Sequence, residues 1–142
     1  MKADKQTGKQ DILRKVPLFS DLSKRNLNEI AKITDELEVQ AGKVLAKQGE
    51  RGSEFVLILQ GMVKVEKDGK LINRLSANDF FGEIALIDKR PRTATVIAET
   101  NAKLLVVEAR SFGRLLEQAP RLSNEIMVAL CKYVRAAENE HD

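Results

Sequence analysis

The sequence predicts a mainly β domain with helices at both ends, and three observations carry that reading. Between Leu37 and Glu108 the apolar residues come in short, β-branched runs broken by Gly, Asp and Asn. Before and after that span they recur at helical spacing. In the middle, Asp68-Gly69 stands between Val65-Glu66-Lys67 and Lys70-Leu71-Ile72, a two-residue hairpin turn of the kind that needs positive φ. The spacing of strands and turns fits a sandwich, jelly roll or barrel, not the strand-helix alternation of a parallel sheet.

Taken in order, residues 1–10 are polar and cationic and are expected to form a disordered leader, with the domain proper running over 11–142. Ile12, Leu13 and Val16 share a helical face that Pro17 ends, and Leu18 and Phe19 follow as apolar anchors. Ser23 is the expected N-cap of a second helix carrying Leu27, Ile30, Ala31 and Thr34 at i, i+3, i+4, i+7. The expected strands are Leu37–Val39, Lys43–Ala46, Phe55–Gln60, Met62–Lys67, Lys70–Leu75, Thr93–Ala98 and Lys103–Glu108. Ser111 is expected to cap a helix with Phe112, Leu115, Leu116 and Ala119, which Pro120 punctuates. A last helix begins near Ser123, with Leu122, Ile126, Leu130, Tyr133 and Ala137 as one stripe and Met127, Cys131 and Val134 beside it.

Composition removes several function classes. The 142 residues are 43% apolar and 32% charged, enough for one domain with a real core. No apolar run reaches the roughly 18 residues of a membrane span, and the polar start lacks the apolar stretch of a signal peptide. One cysteine, Cys131, allows no intrachain disulfide or Cys-based metal site, and points to a reducing cytoplasm. One histidine, His141, stands at the tail. Zinc hydrolase, haem-histidine and Ser-His-Asp chemistry therefore lose their central residue, and the chain is read as no enzyme. The net charge of +3 is spread along the chain and reads as a solvated surface.

The segment with chemical content is Phe80-Phe81-Gly82-Glu83-Ile84-Ala85-Leu86-Ile87-Asp88-Lys89-Arg90-Pro91-Arg92-Thr93-Ala94-Thr95-Val96. Gly82 permits a tight turn and a close backbone approach. Glu83 to Ile87 fits a turn or two of helix, whose first N–H groups favour an anion. Arg92 offers a guanidinium fork suited to a phosphate, and Glu83 an acceptor suited to a hydroxyl. A sugar phosphate fits that set; so does a plain ion pair next to a turn glycine.

This stretch closely resembles the phosphate-binding cassette of cyclic nucleotide-binding domains, as in catabolite-activator proteins, cyclic-nucleotide-dependent kinase regulators and gated channels. Phe81-Gly82-Glu83-Ile84-Ala85-Leu86 and Pro91-Arg92-Thr93-Ala94-Thr95-Val96 carry the likeness. Val16-Pro17-Leu18-Phe19, Leu22 and Leu27 look like the family's helical entry, and Gly42, Gly49, Gly52, Gly61 and Gly69 stand where its strands turn. The resemblance covers about residues 12–137.

It implies a β-roll of jelly-roll type (a double-stranded β-helix) with N- and C-terminal helices. It also implies a non-enzymatic receptor for cyclic AMP, with cyclic GMP as the alternative ligand and no other cofactor. Arg92 would bind the exocyclic phosphate oxygens, Glu83 the ribose 2′-hydroxyl, and Gly82 would admit the ribose. The N–H groups of Ala85 and Thr93 would face the phosphate, while Ile84, Leu86 and Ala94 would shape the pocket. A threonine at the position of Thr93 helps select guanine in cyclic-GMP-dependent kinases, though Ser or Thr also stands there in cyclic-AMP binders. The C-terminal helix would close the base pocket and carry the signal to a homodimer partner or downstream effector. No DNA-binding or membrane segment is expected in this chain. The rival expectation is a degenerate member that keeps the fold as an interaction module.

Overall fold

A computed structural model describes residues 2–82 and 91–141. They divide into two compact units, residues 34–111 and a helical unit made of the residues before 34 and after 111.

Among the described residues of the first unit, eight antiparallel strands form two four-stranded sheets. These are β1 (Thr34–Val39), β2 (Val44–Ala46), β3 (Glu54–Gln60), β4 (Val63–Lys67), β5 (Lys70–Leu75), β6 (Phe80–Phe81), β7 (Thr95–Ala98) and β8 (Ala102–Glu108). One sheet has the order β1-β8-β3-β6, the other β2-β7-β4-β5. Apart from the β4-β5 hairpin, strands that follow one another in the chain lie in different sheets, as in a jelly roll, and among the described residues no strand pair is parallel.

The core follows from pleat and register. Val56 faces Val106 and Ile58 faces Leu104 across β3 and β8. These four join Ala46, Val63, Val96 and Ala102 in one apolar cluster. The alternate residues Phe55, Leu57, Leu105 and Val107 are buried as well. That double burial explains why β3 and β8 read as continuous apolar runs in the sequence, without alternation.

The Asp68-Gly69 hairpin is present. Both residues have positive φ (53° and 79°), as a type I′ turn requires, and Lys67 pairs with Lys70. Gln48 pins the turn: its Nε2 donates to Asp68 Oδ1 at 2.8 Å, and Asp68 N donates to its Oε1 at 2.9 Å. The register then slips between Val65 and Glu66, leaving Ile72 as the extra residue of a bulge.

The helical unit holds α1 (Lys2–Leu13), α2 (Lys24–Lys32), most of α3 (Ala109–Gln118) and α4 (Pro120–His141). α1 reaches back over the residues expected to form a disordered leader. Lysine, glutamine and alanine are good helix formers, and extending a helix from an existing turn is cheap. Ser23 is the N-cap of α2 as expected, its hydroxyl accepting from Asn26 N at 3.2 Å. Leu27, Ile30 and Ala31 form the buried face of α2. Arg14 Nη1 donates to the carbonyls of Ser20 and Leu22, which closes the turns between α1 and α2. The rings of Phe19 and Phe112 lie 6.3 Å apart.

Several boundaries differ from expectation. Thr34 opens β1 opposite Val107 and does not continue the α2 stripe, because two β-branched residues, Ile33 and Thr34, favour the strand where a partner is present. β7 begins at Thr95, two residues later than expected. Ser111 lies inside α3, which opens at Ala109 directly after β8. α4 starts at Pro120, a residue whose fixed φ and missing N–H suit a first helical position. Within α4, Leu122, Ile126 and Ala129 are buried, whereas Met127, Val128, Cys131 and Val134 are exposed.

Candidate functional site

The site is built on a contact between two loops, each bordering a strand. Residues 49–54 lead into β3, and residues 91–94 lead into β7. They are stitched at Arg92 by two backbone hydrogen bonds: Gly49 N donates to Arg92 O at 2.8 Å, and Arg92 N donates to Glu50 O at 2.7 Å. Arg51 and Pro91 form the isolated bridge beside them. The backbone of Arg92 is thereby held on both its donor and its acceptor side.

Its side chain is held too. Nη2 donates to the carbonyl oxygen of Glu54 at 2.6 Å, a charge-assisted bond to a fixed backbone acceptor. Cζ lies 5.9 Å from the centroid of the Phe81 ring. Two glycines flank the guanidinium. A Cβ on Gly82 would stand 2.6 Å from Nη1 and 3.2 Å from Nη2. A Cβ on Gly52 would stand 2.7 Å from Cζ and 3.0 Å from Cδ. Gly82 also has φ +82°, a conformation that glycine adopts without strain.

Of the site residues expected from the sequence, the structure brings together Gly82 and Arg92. Thr93 and Ala94 follow Arg92 in the chain, Thr93 exposed and Ala94 half-buried. Glu83, Ile84, Ala85 and Leu86 lie outside the described residues, as does the short helix expected over 83–87. Phe80 and Phe81 are half-buried and form β6 against Leu57 and Val56. The ring of Phe80 lies 6.0 Å from that of Phe55.

Two participants carry no side-chain signal and were missed as site residues. One is the carbonyl of Glu54, a backbone group that every residue type possesses. The other is Gly52, legible only as a turn glycine. Chemically, the arrangement offers a half-buried cation whose orientation is set before any ligand arrives. Among the described residues no group of three His, Cys, Asp or Glu side chains is disposed to hold a metal ion.

Known proteins resemble this chain in sequence and in fold. A family profile described as "Cyclic nucleotide-binding domain" matches residues 36–119. The chain is 39% identical over 111 residues to a cAMP-dependent protein kinase regulatory subunit of Schizosaccharomyces pombe, covering 78% of this chain and 27% of that protein. It is 32% identical over 128 residues to a cGMP-dependent protein kinase (isozyme 2 forms cD5/T2) of Drosophila melanogaster, covering 84% of this chain and 14% of that one. The chain thus spans less than a third of the length of these relatives. Among solved structures, the N-terminal domain of a transcriptional regulator from Streptomyces coelicolor A3(2) superposes with a TM-score of 0.81 at 27% identity, covering 92% of this chain and 94% of that one.

Proposed function

The chain belongs to the cyclic nucleotide-binding domain family, whose business is binding and regulation, not catalysis, and from that premise we propose that it is a cyclic AMP receptor module, with cyclic GMP the second choice. The observation that supports this reading is the guanidinium of Arg92, oriented by Glu54 O between two glycines. A cyclic phosphate brings one negative charge out of water and needs donors already in position, and a guanidinium oriented by the backbone suits it. Gly82 leaves the space a ribose needs. Glu83 accepts from the ribose 2′-hydroxyl, the N–H groups of Ala85 and Thr93 face the phosphate, and Ile84 and Ala94 line the pocket. The preference for cyclic AMP rests on the higher identity to the cAMP-dependent regulatory subunit than to the cGMP-dependent kinase. Thr93 leaves both open.

The signal leaves through the C-terminal helices, to a second copy of the chain or a fused or separate effector. Two features support that route: β8 passes into α3 without a loop, and α4 exposes Met127, Val128 and Val134. The free thiol of Cys131 fits a cytoplasmic setting, and no helix among the described residues is long and apolar enough to cross a membrane.

A thermal-shift titration with cyclic AMP, cyclic GMP and 5′-AMP, repeated on Arg92→Ala, tests the ligand. At about 100 times its Kd a ligand stabilises the fold by roughly 2.7 kcal/mol, a shift of several degrees at this size. The expected result is a shift with cyclic AMP that 5′-AMP does not give and Arg92→Ala abolishes. No shift with either cyclic nucleotide would make the chain an interaction module on the same fold. Hydrogen exchange over residues 109–137 tests the route, and unchanged protection on ligand addition would reject it.

A further inference from the structure

We propose that Gly52 is a positioning residue for ligand binding: its missing side chain is the slot that holds the Arg92 guanidinium against Glu54 O. The proposal rests on the reading of Arg92 as the phosphate-binding group. It is carried by what distinguishes Gly52 from the other turn glycines.

Gly42, Gly49, Gly61, Gly69 and Gly82 all have positive φ, so each is explained at least partly by backbone conformation. Gly52 is not among them, and its backbone is open to any L-residue. Its neighbourhood is not. A Cβ there would meet Nε, Cζ and Cδ of Arg92, and the three nearest atoms all belong to that one side chain. The position is buried as well, so an added methyl cannot turn into solvent. Space for Arg92 is therefore what its three nearest contacts require of glycine at 52.

Gly82 bounds the other edge of the same guanidinium, but there a Cβ would also strike the backbone carbonyl of Glu54, at 2.5 Å. A substitution at 82 thus mixes strain with crowding. At 52 it changes only the width of the slot. Nε and Cδ lie in the middle of the arginine side chain, so relieving the overlap moves the whole guanidinium plane. The plane cannot move and keep Nη2 at 2.6 Å from Glu54 O. An alanine at 52 leaves the strands paired but releases Arg92 from its preset orientation, and the ordering that the slot had supplied falls to the ligand.

The test is calorimetric titration of Gly52→Ala with cyclic AMP and cyclic GMP, together with a double-mutant cycle of Gly52→Ala and Arg92→Ala read as stability by urea denaturation, because Arg92→Ala leaves no binding to titrate. Gly52→Ala is expected to weaken binding roughly ten- to a hundredfold, the range of one charge-assisted hydrogen bond. In the Arg92→Ala background it is expected to leave stability unchanged, because the atoms it would strike are gone. Equal loss of stability in both backgrounds would overturn the proposal. A readout without ligand accompanies it: the Arg92 Nε–H resonance, assigned by its absence in Arg92→Ala, should shift and exchange faster with water in Gly52→Ala. An unmoved resonance would also overturn the proposal. If the wild type binds neither nucleotide, the ligand reading fails while this resonance still decides the slot. Should Gly52→Ala not fold, the double variant decides: its folding supports the steric pair, and its failure shows that glycine serves the backbone instead.

Discussion

Glu125 is a test of how α4 is fastened, because one carboxylate oxygen completes a cap that the sequence leaves unfinished. A helix opened by serine is often closed by Glu or Gln three residues on, which reaches back to the cap's own N–H. Here the third residue is Asn26, and its side chain turns elsewhere: Nδ2 donates to Glu125 Oε2 at 2.9 Å. The same oxygen accepts from Ser23 N at 3.1 Å. A residue about a hundred positions away thus supplies the missing acceptor, and its charge sits at the N-terminus of α2, where the helix dipole favours it. Glu125→Ala takes a partner from Asn26, which is only 8% exposed, while Ser23 N–H turns to water. With the exposed half of the pair discounted, the loss is about 1–2 kcal/mol. Glu125→Gln keeps an acceptor in place without the charge and should lose roughly half as much. Urea denaturation at constant pH reads both, and Asn26→Ala closes a cycle whose coupling should exceed about 0.5 kcal/mol. A Glu125→Ala loss below about 0.5 kcal/mol, or independent effects of the two residues, would refute the reasoning.

Two glycines with similar φ should respond very differently to alanine. At Gly61 (φ +99°) the new Cβ would stand 2.5 Å from Asn101 O and 2.9 Å from Ala102 Cα, both backbone, so Gly61→Ala should cost more than about 3 kcal/mol or prevent folding. At Gly69 (φ +79°) nothing lies within 4 Å, so Gly69→Ala should cost only the conformational penalty of about 1–2 kcal/mol; melting curves compare the two. Ile58→Ala, in the fully buried cluster of β3, should cost about 2–5 kcal/mol in denaturant titration. Asp21 accepts from Lys132 Nζ at 2.8 Å, and that bond and charge hold its carboxyl below the usual aspartate range. A lowered folded pKa means that the ion pair's contribution is present above the ordinary value of about 3.9 and lost as pH falls through the folded one. The stability difference between wild type and Asp21→Asn should therefore be flat near neutrality, shrink only in acid and weaken with salt; a difference that grows in acid would contradict it.

What was legible in the sequence is what side chains encode. The two turn residues Asp68 and Gly69 announce their φ, so the hairpin was readable to the residue. Ser23 announced its cap, and the apolar runs of β3 and β8 announced burial. Gly82 and Arg92 were readable as partners from motif and chemistry. What escaped depends on the third dimension. β6 is two residues long, and its pairing with Val56 and Leu57 has no local pattern. Thr34 carries a helical stripe and a strand propensity together, and only the opposite residue, Val107, decides between them. The acceptor for Arg92 is a carbonyl, and the side chain that a Cβ at Gly52 would meet stands forty positions away in the chain.

These unannounced groups share one segment. Gly49 N and Glu50 O hold the backbone of Arg92, and Glu54 O holds its guanidinium. Between them, Ser53 O accepts from Ala109 N at 2.8 Å, and Ala109 is the first residue of α3. The segment before β3 therefore bonds on one side to the residue proposed to meet the phosphate and on the other to the start of a C-terminal helix. The peptide planes that carry Ser53 O and Glu54 O meet at the Glu54 Cα, where the pairing of Glu54 with Glu108 restrains φ and ψ, so a pull on Glu54 O is passed to Ser53 O through that restrained hinge. If a ligand charge on Arg92 changes the strength of its bond to Glu54 O, the first hydrogen bond to α3 is the next one affected. The change needs no long chain of side chains: two neighbouring carbonyls span it. Should the Ala109 amide exchange at the same rate with and without cyclic nucleotide, this short path would carry no signal, and the C-terminal helices would have to be reached by another part of the cassette.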